Sequence, residues 1–108
     1  MGFVALEVAL EVVEGLSPVV GRIEVRDRAL ADQIRRAATS VALNLAEGAE
    51  RRGRDRTHAF RVASGSAAEV RAALRVAVAW GYTSAASLEV VQARLDRLGG
   101  LLYGLTHR

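Results

Sequence analysis

The chain has 108 residues, about one domain's worth, with 51% hydrophobic and 25% charged residues. That balance is globular rather than disordered or fibrous, and the absence of cysteine excludes disulfides, thiolate metal sites and thiol nucleophiles. All 15 basic residues are Arg, set against 12 acids, for a formal charge of +3. Arg stays charged far into the alkaline range, so the pI of about 10.5 overstates the basicity. The surplus is regional: ten Arg and six acids lie between Arg22 and Arg61, and outside that stretch the acids lead by one. A single Pro and 5% aromatic residues argue against an all-β domain. Glu7, Glu11 and Glu14 interrupt the apolar run 3–16 and no basic segment leads into it, so the expectation is a cytoplasmic protein with no secretory signal and no membrane span.

The first predicted helix covers about 3–16. Its three Glu fall at i, i+4 and i+7 and form one narrow polar stripe, while Val4, Leu6, Val8, Leu10, Val12, Val13 and Leu16 fill the rest. A helix packed on one side of a small monomer needs an apolar face only about 100° wide. This one exceeds that and predicts self-association. Ser17-Pro18 is expected to end it, because the residue before Pro avoids the helical region.

Asp27 is a plausible N-cap for a second helix over about 28–47, with a seam of Leu30, Ile34, Ala37, Val41 and Leu45 and with Gly48 as its breaker. A short charged turn holding Arg51, Arg52, Arg54 and Arg56 leads to a third helix over about 56–80. Its seam is Phe60, Ala63, Ala67, Val70, Leu74 and Ala77, and Gly81 stands at the C′ position. A fourth helix over about 85–105 carries Leu88, Val91, Leu95, Leu98, Leu102 and Leu105; Gly99-Gly100 inside it marks tight packing. Short links between long helices predict a single all-α domain over 1–108, an antiparallel up-down-up-down four-helix bundle.

In such a bundle, residues of helices two and three whose numbers sum to roughly 105 share a level. Arg36 then meets Glu69, Ser40 meets Gly65, and Asn44 meets Arg61. Arg36, Ser40, Asn44 and Glu47 also form one stripe at spacings of four, four and three. The stripe is either a solvated face or a buried polar seam, inside the bundle or at a subunit contact. Burial would require an Arg36–Glu69 pair with its hydrogen bonds satisfied.

Catalysis finds no constellation. His58 and His107 are expected too far apart to cooperate, and neither Glu47-Gly-Ala-Glu50 nor Glu69-Val-Arg-Ala72 supplies the Glu-x-x-His of a carboxylate metal bundle. Ser64 and Ser66 have no His partner. The expectation is a non-enzymatic protein with no cofactor and no metal. Trp80 and Tyr82, flanking Gly81, read as a cap on the bundle core, with a contact platform as the alternative.

Leu30-x-x-Gln33-x-Arg35-Arg36-Ala37, then Ser40-Val41-x-x-Asn44-Leu45-Ala46-Glu47-Gly48, then Ala63-x-Gly65-Ser66-x-x-Glu69 and Gly81-Tyr82 resemble the bacterial four-helix bundle proteins named for 23S rRNA intervening sequences. The resemblance spans nearly the whole chain. It implies a ring-like homo-oligomer, a homopentamer foremost. It also adds Gln33 and Ser66 to the polar seam or subunit contact of Arg36, Ser40, Asn44, Glu47 and Glu69. A relative in fold, the accessory protein of diversity-generating retroelements, is a basic pentamer that binds nucleic acid. The chain departs from the family pattern at Arg22-Ile23, where a Phe-Pro pair is usual, and at Gly53–Ala59, where Ser, Lys and an aromatic are usual.

Two functional readings follow. In one, Arg51, Arg52, Arg54, Arg56 and Arg61 cluster at one end and bind RNA or DNA phosphates, with Arg22, Arg26 and Arg28 as a separate patch at the other end. Against it stands a solvated turn whose Arg residues pair with Glu50 and Asp55. In the other, the chain is a scaffold for a protein partner, without nucleic acid.

Overall fold

Helix α1 spans Val4–Arg26, α2 Arg28–Glu50, α3 Gly53–Ala79 and α4 Glu89–Thr106, the last entered through one 3-10 turn at Ala86–Leu88. The computed structural model describes residues 3–107, and no strand occurs among them. Each helix turns one apolar stripe inward. Ile34, Val41 and Leu45 of α2 meet Phe60, Val70 and Leu74 of α3 and Leu95, Leu98 and Leu102 of α4, all buried, with no polar or charged residue buried among those described. α1 and α3 each pack against both α2 and α4, and the α2–α3 pair is the most extensive. The result is a rod of 42 × 23 × 20 Å. No helix is long and apolar enough to cross a membrane.

α1 overturns its predicted end. It runs ten residues past Leu16, with Pro18 inside it. Pro costs a helix interior about 3 kcal/mol, but Val19, Val20 and Ile23 continue the buried stripe. Each such side chain contributes roughly 1.5–3 kcal/mol when enclosed, so burial wins. Pro18 itself is exposed, so the Glu14 carbonyl it leaves without a partner can turn to water. Asp27 caps α2 as expected, its Oδ1 accepting from the Leu30 amide at 3.0 Å.

Gly48 is also not the breaker the sequence suggests. α2 continues to Glu50, and Gly48 is buried where the Phe60 ring crosses it. A Cβ built at Gly48 would stand 2.5 Å from Phe60 Cε1 and 2.7 Å from Cδ1. The glycine is there for close approach. Phe60 in turn meets Phe3, just ahead of α1, with ring centroids 5.8 Å apart.

The turn between α2 and α3 is shorter than predicted. Only Arg51 and Arg52 lie outside helix, and α3 begins at Gly53, whose φ of 59° suits glycine and lets the chain reverse at once. Gly81 ends α3 as expected, with φ 78°. The Tyr82 amide donates to the Ala77 carbonyl and the Gly81 amide to Val78, both at 2.9 Å, which is the paired bonding of a Schellman cap.

Arginines outside the predicted seams tie α4 down. Arg71 Nη2 donates to the Leu95 carbonyl at 3.0 Å and to Asp96 at 2.8 Å. A Cβ at Gly99 would come within 3.2 Å of the same guanidinium. Arg94 reaches the Glu11 carbonyl of α1 at 3.2 Å.

Gly48→Ala should therefore destabilise the fold, by roughly 1–2 kcal/mol, because the overpacking cost exceeds the helix-propensity gain. Gly21→Ala, built into open space on α1, should stabilise by about 0.5–1 kcal/mol. Denaturant unfolding of the two variants checks this; a Gly48→Ala protein as stable as wild type would show that the Phe60 contact is loose.

Candidate nucleic-acid interface

The reversal at Arg51-Arg52 determines where the charge goes. α2 delivers Arg51 at its C-cap, Arg52 caps α3, and Arg54 and Arg56 fall in the first turn of α3. Arg61 follows two turns on, exposed. The antiparallel order also brings the C-terminus of α4 to this end. Five arginines thus crowd one tip of the rod.

Their partners are few. Arg51 Nη2 lies 3.5 Å from Glu47 Oε1, an exposed i, i+4 pair, and such pairs are worth about 0.3–0.5 kcal/mol. The Arg56 guanidinium sits 5.4 Å from the Phe60 ring centroid. Arg52, Arg54 and Arg61 form no ion pair among the described residues, and neither do Glu50 and Asp55. The pairing to Glu50 and Asp55 that would neutralise the turn is not made. Arg56 and Arg61 flank a hollow of about 310 Å³ with Phe60, Leu105 and Thr106. On the other side of α3, Glu47, Arg51, Asp55 and His58 line a second hollow of about 350 Å³. The α3 N-terminus lies at this tip beside the C-termini of α2 and α4, so the helix dipoles largely offset one another and the charge there comes from the side chains. Such a surface can hold phosphate oxygens by charge-assisted bonds; none of its groups is buried enough to make it selective for a base.

The polar stripe is a surface seam between α2 and α3. Ser40 Oγ and Ser66 Oγ share a hydrogen bond of 2.8 Å, both half-buried. Asn44 Nδ2 donates back to the Ser40 carbonyl at 2.9 Å instead of reaching Arg61. Glu69 accepts from Gln33 Nε2 at 3.3 Å. Arg36, exposed, forms no ion pair among the described residues. The expected Arg36–Glu69 pair is therefore replaced by a neutral donor one turn away, and within the chain the seam is not buried. The register error is small: the contacts that form sum to between 102 and 108.

His58 and His107 share the Arg end without sharing a groove. His58 lines the α2–α3 hollow, while the His107 ring stacks on Tyr103 of α4 at 3.8 Å. No three His, Asp or Glu side chains converge as a metal site among the described residues.

Trp80 and Tyr82 depart most from expectation. They do not cap the core together. Trp80 is 68% exposed, stacked on Tyr82 with centroids 6.4 Å apart and planes 18° apart. Only Tyr82 turns inward, and its hydroxyl donates to Asp27 Oδ2 at 3.2 Å. Burial first, and then that bond, push its phenol above the ordinary range. The sequence signal for this was the Schellman cap itself, whose C″ residue, Tyr82, ordinarily packs back against the helix while the Ccap residue, Trp80, stays outside.

The fold has a counterpart of known structure. A protein of unknown function from the S23 ribosomal protein family of Bacteroides thetaiotaomicron superimposes with a TM-score of 0.84 at 18% identity, over 96% of this chain and 99% of that one. At that identity the likeness extends to the fold alone. No curated protein matches the chain. Residues 4–104 match the family described as 23S rRNA-intervening sequence protein. The chain belongs to the 23S rRNA-intervening sequence protein family.

Proposed function

We propose that the protein is a non-catalytic, self-assembling bundle whose arginine tip holds the phosphate backbone of RNA or DNA. The observation that carries this reading is that Arg52, Arg54 and Arg61 stand exposed at one tip without an ion-pair partner among the described residues. Exposed guanidinium groups left free of carboxylates are the groups that phosphates recruit, and their contributions add with counterion release.

Self-assembly is supported by the face between α1 and α2. Leu10 of α1 is 43% exposed and Val13, one turn on, 37%; Leu43, 63% exposed, stands on the outer side of α2 with Thr39 and Ser40. No charge occurs on α2 between Arg36 and Glu47. Val13, Leu16, Val20, Ile34 and Ala38 line a groove of about 280 Å³ along it, rimmed by Ser17, Arg35 and Thr39. Contiguous exposed apolar surface of this kind marks an association site. Rings form when two different patches of one chain meet head to tail and the rotation closes. A homopentamer is the ring the family resemblance implies, and it would present the arginine tip five times over, turning weak single contacts into avidity.

Two measurements test the two parts. Light scattering at micromolar concentration should find no monomer; a clean 11.5 kDa species would sink the assembly. Fluorescence anisotropy with structured RNA and with duplex DNA, at two salt concentrations, should show binding that weakens with salt. Binding of the duplex should disappear when Arg51, Arg52, Arg54 and Arg56 are all changed to Ala. No binding even at low salt would reduce the tip to a solvated turn and hand the apolar face to a protein partner.

A further inference from the structure

The end of the rod opposite the arginine tip is built differently, and the difference points to a ligand. At the α1–α2 junction and the α3 C-terminus, the indole of Trp80 lies outside the core with most of its surface in water. Leaving so large an apolar ring exposed is unfavourable, and here one of its faces is stacked toward the Tyr82 ring. Tyr82 backs it and is fixed from three directions. The Schellman bonds fix its backbone. Asp27 accepts its hydroxyl proton while the other carboxylate oxygen caps α2. The Arg26 guanidinium stands 5.6 Å from its ring centroid. A braced aromatic stack with a free outer surface is a platform for a flat π system.

The charge around it selects among flat ligands. The acids of this end are mostly engaged: Glu24 and Asp32 both pair with Arg35, and Asp27 is held by Tyr82 and the Leu30 amide. Arg22, Arg26 and Arg28, by contrast, form no ion pair among the described residues. A flat ring beside free guanidinium groups fits a unit that is planar at one end and anionic at the other.

We infer that the Trp80–Tyr82 stack is a second nucleic-acid site, which takes an unpaired nucleobase of a single strand on the Trp80 indole while Arg26 and its neighbours meet the flanking phosphates. The inference takes its class of ligand from the phosphate-binding reading above, and its geometry from the other end of the molecule. The two sites divide the work: the tip reads charge and accepts duplex or single strand, whereas stacking requires a base that has left its pair.

Trp80 is the only Trp in the chain, so its emission reports on this site alone. The test titrates the full-length protein with a ten-nucleotide single-stranded RNA and, separately, with a blunt RNA duplex, following Trp fluorescence and anisotropy together. The expected result is saturable quenching by the single strand, little by the duplex, with quenching preserved when Arg51, Arg52, Arg54 and Arg56 are changed to Ala. Trp80→Ala should weaken single-strand binding by roughly 5- to 150-fold, the range that removal of one stacked base implies. Changing Arg22 and Arg28 to Ala, which leaves the indole and the groups that brace Tyr82 in place, should weaken the quenching titration in the same direction. Binding seen by anisotropy with no change in Trp emission would overturn the platform and leave the arginine tip intact. Equal quenching by the duplex would overturn it too, as would a blue-shifted emission in the free protein, which would mean another copy already covers Trp80. Quenching that survives while the tip variant binds as tightly as wild type would uphold the platform and remove the tip.

Discussion

With no side chain on Gly48, the Phe60 ring lies directly against the α2 backbone, and the last turn of α2 and the first turns of α3 come closer than any other helical side chain would allow. The rest of the arrangement hangs on this approach. It draws α2 and α3 together just before their junction, so the chain must reverse in two residues, and Gly53 with its positive φ makes that reversal possible. Because the reversal is so short, Arg51 and Arg52 cannot spread along a loop, and Arg54 and Arg56 are taken into the opening turn of α3. Phe60 also reaches Phe3 beside α1 and carries Arg56 over its ring. One small residue thus fixes the closure of the hydrophobic core and the density of charge at the tip.

The two ends of the rod have opposite characters for local reasons. At the α2–α3 end the sequence supplies more guanidinium groups than the neighbouring carboxylates take up, and the surplus faces water. At the other end, a helix-stop motif leaves Trp80 outside while Tyr82 turns inward and is captured by the capping Asp27. Along the flank between α1 and α2, Leu10 and Val13 interrupt the polar surface, and Leu43 does so on the outer side of α2. None of these features is required for a single bundle to fold, since the core is complete without them. They are the parts of the chain left over for contact with something else.

The periodic seams are legible from residue order alone: Ile34, Val41, Leu45, Phe60, Val70, Leu74, Leu95, Leu98 and Leu102 are all buried where the spacing of three and four puts them. Legible too are the Asp27 cap and the Gly81 stop, because each depends on one residue type at one position. At Pro18 and Gly48 tertiary burial outweighs a local signal; at Arg36 and Trp80 the side chains stay at the surface and local geometry decides. Pro18 ordinarily stops a helix, yet the apolar stripe continues past it. Gly48 has the look of a C′ residue, yet the space it leaves belongs to Phe60. Arg36 and Glu69 have matching charge and level, but Gln33, three residues nearer the helix start, has the shorter reach. Large aromatics usually turn inside, but the position of Trp80 at a Ccap turns it out. Of the candidate site, the identity of the arginines can be read from the sequence, whereas their freedom from carboxylates cannot, since it depends on where Glu50 and Asp55 point.

The central claim is that binding of duplex phosphates is localised at the α2–α3 tip and does not arise from a diffuse positive field. The most direct test is the slope of log affinity against log salt for duplex DNA, measured one arginine at a time. Arg52→Ala, Arg54→Ala and Arg61→Ala should each flatten the slope by roughly 0.9 for every phosphate no longer neutralised. Arg36→Ala and Arg97→Ala, which remove the same charge from the flanks, should leave it unchanged. A slope that flattens equally for Arg36→Ala and Arg52→Ala would contradict the account.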